Sequence, residues 1–522
     1  MTTVSTPPAP TRARVRPSER ATGFFHEQRP SVLVGGIVAA FLVAVAVRLP
    51  WADDLMLHLA VLQRLMDNPL HPGNPIIDVG NGGSSIYYSP YMLALALPGK
   101  LVGLSAYSLY KLAALVNIFL LLTGLYRFVR SFSDARWAPP LALLGLLFWW
   151  GTTAIAWSGF MSLISLGDTE AYPSTVATAL TLHLWAFLND GGRTLRSPRR
   201  MLGVGALLGL ILLIHQFTGL SAVVGCAAIL LAQHRLLRTR PVLKCLAIGL
   251  VACAVVIAIW PYYHLWSVNQ GQVDILDPVH KPLYAHVERW YGLGVVLGLV
   301  ALALRWWRDR VDALVLMFLG IGAVVAYGGL TQHWSYGRSW PMVMMVCVVA
   351  VAIAAAEAKP GRIRWAWTVP VAVATAVGVS TQFGALLFLV PNSMQTSVSR
   401  ALGARGWIEN IPHIDKLDRY FKPDQVVAAP KQLGQFEVAA HGSYSVTPAW
   451  YLPEIPRSLQ HTRDNALFAM FQPTTSEAER IALLKQYDVT WVLLIPGEDL
   501  PNGFPATLTA QEDRYRLYRV IY

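Results

Sequence analysis

The chain has 522 residues, of which 54% are hydrophobic and only 14% charged, a balance outside that of ordinary water-soluble domains. Its formal net charge is +12, which raises nucleic acid as a partner. The 42 Lys and Arg residues cluster between hydrophobic runs instead of forming one basic face, so no nucleic-acid partner is expected and the basicity reads as membrane topology.

Residues 1–30 are rich in Pro, Arg and Thr and lead without a small-residue cleavage site into an apolar stretch from Ser31, the pattern of an uncleaved signal anchor with a cytoplasmic tail. Hydrophobic runs then predict roughly eleven transmembrane spans, at about 31–50, 106–129, 137–158, 171–189, 201–215, 217–233, 243–263, 290–305, 311–330, 340–356 and 366–390. Basic clusters follow alternate spans: Arg127 to Arg136, Arg193 to Arg200, Arg235 to Lys244, Arg305 to Arg310 and Lys359 to Arg364. The intervening short loops hold Arg64, Lys100, Lys281, Arg289 and Arg338, so these are expected outside and the clusters inside.

Two segments decide this topology. The apolar stretch 88–104 is short and broken by Pro90, Pro98, Gly99 and Gly103; counted as a span it would put the Arg127 cluster outside. It is therefore expected to be an interfacial or re-entrant helix within a long first external loop, 51–105. The run 201–232 has basic clusters at both ends and is expected to be two short helices turning at His215-Gln216-Phe217-Thr218-Gly219.

Beyond Pro391 the composition becomes mixed, with strand-like segments at 425–429, 490–495 and 515–521 and a helix-like segment at 476–487. The expected fold is thus an α-helical polytopic membrane domain, 31–390, followed by a small C-terminal α/β extracytoplasmic domain, 391–522. The four cysteines, Cys226, Cys245, Cys253 and Cys347, sit in or beside apolar spans and read as small core residues.

Carboxylates near a membrane are costly unless used. Asp53 and Asp54 directly follow the first span, with His58 one helical turn on. One Asp there suffices as a helix cap, and the second asks for another role, such as a base. Asp168 and Glu170, two apart in the next external loop, suit an oxygen-only shell for Mg²⁺ or Mn²⁺ or, equally, a solvated turn. Arg338, in Gln332-His333-Trp334-Ser335-Tyr336-Gly337-Arg338, is the positive charge of an otherwise polar and aromatic loop. It suits a phosphate, with Lys281, His333 and Arg289 as further anion-binding candidates; an interfacial aromatic belt is the plainer alternative. Tyr336 and His215 are secondary candidates. No phosphate-binding Gly-rich loop or nucleophile elbow is present, so any driving energy must arrive with the substrate.

The first span followed at once by Asp53 and Asp54, the long first external loop, the many spans and the C-terminal domain containing Tyr487-Asp-Val-Thr-Trp-Val-Leu-Leu494 together resemble the GT-C superfamily of membrane glycosyltransferases, which includes protein O-mannosyltransferases and aminoarabinose transferases. The resemblance implies Asp53 or Asp54 as the catalytic base, Asp168 and Glu170 as a second acidic motif, and a sugar donor carried on polyprenyl phosphate. The acceptor is open among glycan, lipid, protein and small molecule, and a mannosyl- or arabinosyltransferase of the plasma membrane would fit. A transporter or flippase of a lipid-linked sugar shares this layout but asks for inverted repeats, none of which is visible. A noncatalytic membrane partner does not need the acidic pair.

Overall fold

The computed structural model describes residues 28–48, 54–80, 85–265, 277–402, 416–449, 452, 454–512 and 515–522; Asp53 and most of the basic tail lie outside them. The membrane part is helical in chain order: α1 (Arg29–Arg48), α2 (Leu55–Asp67), α3 (Pro90–Val102), α4 (Ala106–Arg130), α5 (Ala138–Phe148), α6 (Leu163–Thr169), α7 (Pro173–Leu188), α8 (Pro198–Ile214), α9 (Gln216–Ala232), α10 (Arg240–Ala258), α11 (Gly292–Arg308), α12 (Ala313–Thr331), α13 (Trp340–Ala356) and α14 (Arg362–Gln382). A helix occupies each of the segments read as spans. Among the described residues six stretches are long and apolar enough to cross a membrane: α1, α4, α10, α12, α13 with the turn before it, and α14 with the turn after it. The helices in the other five segments have 11 to 17 residues. Length and composition therefore support six crossings, and a topology of eleven is a proposal.

Helix α13 is the axis of the bundle. It is apolar all round and buried from Pro341 to Ile353, packed among α5, α11 and α12, as expected of a helix with no polar face. By contrast Leu33, Ile37 and Val47 on α1 and Leu250 and Val251 on α10 are exposed, the surface that lipid would cover. α3 spans only 13 residues between a Ser89 cap and a left-handed Gly103, about 20 Å. It is a short apolar helix, outside the six stretches of membrane-crossing length.

Two expectations need correction. The third predicted span, 137–158, ends as a helix at Phe148. There the chain turns to pair with another loop: Thr152 N and Thr153 N donate to Arg289 O at 2.8 and 3.2 Å, and a Cβ on Gly151 would lie 1.8 Å from that same oxygen. The Asp168-x-Glu170 segment is not a loop; it closes α6, whose first turn is capped by Ser162.

The break at His215 is present: its φ of −156° and ψ of 105° interrupt the helical path between α8 and α9. α8 also packs closely on α10 because both carry glycine at the contact. A Cβ on Gly205 would fall 1.9 Å from Gly249 O, the close backbone approach that small residues permit in membranes. Gly205→Ala is therefore expected to destabilise the purified protein by about 1–3 kcal/mol, read as a lowered melting temperature in detergent; an unchanged melting temperature would rule out this packing.

The C-terminal part forms a five-stranded sheet ordered β2-β1-β3-β5-β4, with β1 (Val426–Ala428), β2 (Tyr444–Ser445), β3 (Val489–Leu494), β4 (Ala506–Glu512) and β5 (Tyr515–Val520). β2, β1 and β3 are parallel, whereas β5 pairs antiparallel with both β3 and β4. The helices are α15 (Gln432–Ala440), α16 (Arg457–Phe471) and α17 (Glu477–Gln486). Alternating burial in β5 and nearly continuous burial in β3 place β3 at the centre.

This sheet is docked on the segment between α1 and α4. Ile77 bridges Ser445 in parallel, and α15 packs on α2. Arg64, only 3% exposed, donates to Pro423 O at 2.6 Å and stacks 3.5 Å above the Tyr444 ring centroid. At the same interface the buried His441 faces Asp418 at 2.8 Å and Glu437 at 3.6 Å, with the Tyr107 ring of α4 6.2 Å away.

Burial lowers the His441 pKa, but hydrogen bonds and charge from Asp418 and Glu437 outweigh it and raise it to about 9. A raised pKa stabilises the folded state fully below the unfolded value of 6.5, and that stability is lost as the pH climbs through about 9. Resistance of the docked domain to limited proteolysis is therefore expected to fall between neutral pH and pH about 10 in the wild type. A His441→Gln variant should show a flat profile; a wild-type slope retained in that variant would exclude His441 as its source.

Candidate active site

The site is built where α2 begins. Asp54 stands at the N-terminal boundary of that helix, yet its φ of −85° and ψ of −4° are helical and its side chain makes no capping hydrogen bond. The plain reading of Asp54 as a cap is thereby removed. Its carboxylate instead acts electrostatically on Arg338, Tyr87 and Tyr110. The fold therefore brings Asp54, at the start of α2, within electrostatic reach of Arg338, which precedes α13.

Arg338 rides on a short 3-10 turn, Trp334–Ser339. That turn is anchored by the buried Asp277, whose carboxylate accepts from Trp334 N at 2.9 Å, Ser335 N at 2.7 Å and Ser335 Oγ at 2.5 Å. The guanidinium lies 5.8 Å from the Phe217 ring centroid, and its Nη2 is 3.4 Å from His215 Nε2. The opposite nitrogen, Nδ1, caps α9: it accepts from Thr218 N at 3.3 Å and lies 2.8 Å from Thr218 Oγ1, so the imidazole is held from the helix end while Nε2 faces the guanidinium. The helix break between α8 and α9 thus serves to present one imidazole to one guanidinium.

His58, one turn beyond Asp54, is enclosed by the rings of Tyr172 at 4.8 Å, Tyr110 at 6.0 Å and Tyr87 at 6.1 Å. Burial pulls its pKa down to about 3, so the ring is neutral and suited to packing or hydrogen bonding but not to holding a phosphate by charge. Tyr87 links the parts. Burial first, then Asp54 and Glu454, push its phenol upward, while Arg338 pulls the other way. Glu454 comes from the C-terminal domain, and burial pushes its carboxyl up to about 7.

The sequence-predicted residues separate accordingly. Asp54, His58, His215 and Arg338 converge. Lys281 is exposed and sits at the rim, 5.8 Å from the Trp334 ring. Arg289 is exposed, faces its neighbour Glu288 at 3.7 Å and serves the fold through its backbone carbonyl. His333 is exposed and stacks against Tyr327, which also meets Tyr336; these rings lie along the outer turn. Tyr87, Asp277, His280 and Glu454 were not singled out from sequence. His280, 5.8 Å from the Phe217 ring and 6.1 Å from Trp157, acts on His215 and completes an aromatic wall. Asp277 shares its loop with Asp274 and Glu288, so no local signal set it apart.

Asp168 and Glu170 fit a shared cation poorly. Two positions apart along a helical path they diverge by about 200°. Among the described residues no group of three His, Cys, Asp or Glu side chains converges as a metal shell. Asp168 is half-buried, whereas Glu170 is 2% exposed and neither of its carboxyl oxygens has a hydrogen-bond partner. Burial, reinforced by Asp168, pushes the Glu170 carboxyl well above its ordinary range, so it is held as the neutral acid. Glu170→Gln, close in shape and also neutral, is expected to keep folding and activity within about twofold; a large loss restored by excess Mg²⁺ or Mn²⁺ would instead mark Glu170 as a metal ligand.

No family model and no curated protein matches the sequence. Solved structures match in fold. The chain superposes over 94% of its length on the arabinofuranosyltransferase AftD from mycobacteria, with a TM-score of 0.60 and 15% identity, and spans 40% of that protein. It also superposes over 95% of its length on ArnT from Cupriavidus metallidurans bound to undecaprenyl phosphate, covering 98% of that chain, with a TM-score of 0.50 and 13% identity. These structural neighbours are GT-C glycosyltransferases, and the chain has the fold of that superfamily.

Proposed function

We propose that this protein is an integral membrane glycosyltransferase that moves a sugar from a polyprenyl-phosphate carrier to an acceptor hydroxyl on the extracytoplasmic face, with inversion at the anomeric carbon. The observation that carries the reading is the electrostatic coupling of Asp54 to Arg338, whose turn is anchored by Asp277 and whose Nη2 lies 3.4 Å from His215 Nε2. The fold shared with membrane glycosyltransferases supports it, as does the undecaprenyl phosphate in the ArnT structure. The same reading places the N-terminus in the cytoplasm, the site and the C-terminal domain outside, and eleven crossings between.

In this scheme the acceptor hydroxyl enters between Asp54 and the anomeric carbon. Asp54 takes its proton as the oxygen attacks, the bond from the anomeric carbon to the phosphate oxygen breaks, and the electron pair leaves with the polyprenyl phosphate. Arg338 compensates the charge on the departing phosphate. His215 Nε2, 3.4 Å from Nη2, and the Phe217 ring flank the guanidinium and hold its position. Trp157, Phe217 and His280 give the sugar an apolar wall. No step passes through a cation.

The deciding experiment is transfer of radiolabelled sugar from synthetic polyprenyl-phosphate sugars by the purified protein in nanodiscs, across a small set of hexose and pentose donors. Release of polyprenyl phosphate with one donor, matched by label in a product, is expected. Movement of an intact donor across the bilayer without cleavage would replace this reading with a flippase. Neither cleavage nor movement would leave the chain as a membrane partner.

A further inference from the structure

The C-terminal domain contains a cavity of about 650 Å³ between the loop after β1, the segment 447–449 and α16, within the ~300–1,000 Å³ typical of small-molecule sites. Its lining joins four side-chain amides, Gln432, Gln435, Gln460 and Gln472, with Asp464 and the ring of Phe468. Among the described residues no Lys, Arg or His lines it. Anionic ligands such as phosphates or uronates would therefore meet one carboxylate and no compensating cation.

A purely apolar guest would strand the amides. Each primary amide offers both donors and an acceptor, the complement of a polyol. Two of them are already pinned: Gln432 Nε2 donates to Ala449 O at 2.7 Å and Gln435 Nε2 to Ala429 O at 3.1 Å, so little rotamer freedom remains to be lost on binding. Phe468, 68% exposed, offers an aromatic face at the cavity on which a sugar ring can stack.

The cavity is tied to the catalytic loop. Its wall at 447–449 begins two residues after Ser445, which bridges Ile77. Arg463, next to Asp464, joins Val446 O at 2.8 Å and also donates to Asp78 O of the first external loop. Beyond 449 the same chain runs on to Glu454, whose carboxyl acts on Tyr87.

We propose that this cavity is an acceptor subsite that binds a neutral oligosaccharide, holding a growing glycan while its end reaches Asp54. The inference rests on the glycosyltransferase reading and selects a glycan among the acceptor classes. It is tested on the full chain in nanodiscs by saturation-transfer NMR with short neutral manno-, arabino- and gluco-oligosaccharides, and with a uronate oligosaccharide for comparison.

At least one neutral series is expected to bind the wild type. Phe468→Ala should weaken that binding by about tenfold, and Phe468→Tyr should restore it. Asp54→Asn should bind as the wild type does, which separates the subsite from the chemistry. Binding lost in Phe468→Ala with no sugar transfer by the wild type keeps the subsite and sinks the enzyme reading. Wild-type failure to bind any neutral series, equal binding of the uronate, or binding unaffected by Phe468→Ala overturns the subsite.

Discussion

Asp54→Asn is expected to abolish measurable sugar transfer, a loss of about 10²–10⁴-fold in kcat, while leaving the protein folded and still able to bind polyprenyl phosphate. Asparagine keeps the shape of the side chain but cannot take a proton from an acceptor hydroxyl. The competing account, that Asp54 caps α2, predicts something different: a stability cost of about 1 kcal/mol or less, since Asn is as good a cap as Asp, and unchanged turnover. The structure already weakens that account, because the Asp54 side chain makes no capping bond. Transfer assays at matched protein concentration, paired with melting temperatures, separate the two. An Asp54→Asn variant that transfers at the wild-type rate would end the assignment of Asp54 as base and move attention to Asp53, which lies outside the described residues.

The second large effect is expected at Arg338. Arg338→Gln should lower kcat by about 10²–10³-fold, the cost of losing a group that stabilises charge developing in the transition state. Arg338→Lys should recover only part of it, because an ammonium cannot reproduce the planar fork that His215 and Phe217 hold in place. His215→Ala is expected to fall between wild type and Arg338→Gln, since it removes the orientation of the guanidinium and leaves its charge. The loss should appear in kcat, with KM for the donor changed less, because the phosphate charge grows as the bond to sugar breaks. Equal rises in KM with kcat preserved would make Arg338 a ground-state binding residue.

These effects depend on a convergence that local sequence could not display. Asp54 was visible as a candidate because a carboxylate directly after an apolar span is costly, and Arg338 because it is a charge in an aromatic loop. Their partnership was not visible, since it requires the turn at Trp334–Ser339 to be anchored from another loop by Asp277. Lys281, Arg289 and His333 carried the same local signal as Arg338, and burial alone distinguishes them: they remain at the surface while Arg338 is turned inward. Glu454 belonged to a segment with no pattern of its own, and acquires a role only because the C-terminal sheet docks on the segment between α1 and α4.

What the sequence determined by itself is the set of helices and where they break. Apolar runs of membrane length, proline and glycine at 88–104, and the polar interruption at 215–219 act within a few residues, through hydropathy and backbone propensity, so they are readable one segment at a time. The strands at β1, β3 and β5 were readable for the same reason. The edge strand β4 alternates apolar and polar residues over Ala506-Thr-Leu-Thr-Ala-Gln511, but it is exposed on both faces over most of its length and is defined by its pairing with β5. The end of α5 at Phe148, the helical placement of Asp168 and Glu170, and the seating of the sheet on Ile77 were decided only by tertiary structure. Each depends on a partner distant in sequence, Arg289 O for the first and Ser445 for the last, and a backbone hydrogen bond made to a distant segment leaves no periodic trace in either sequence.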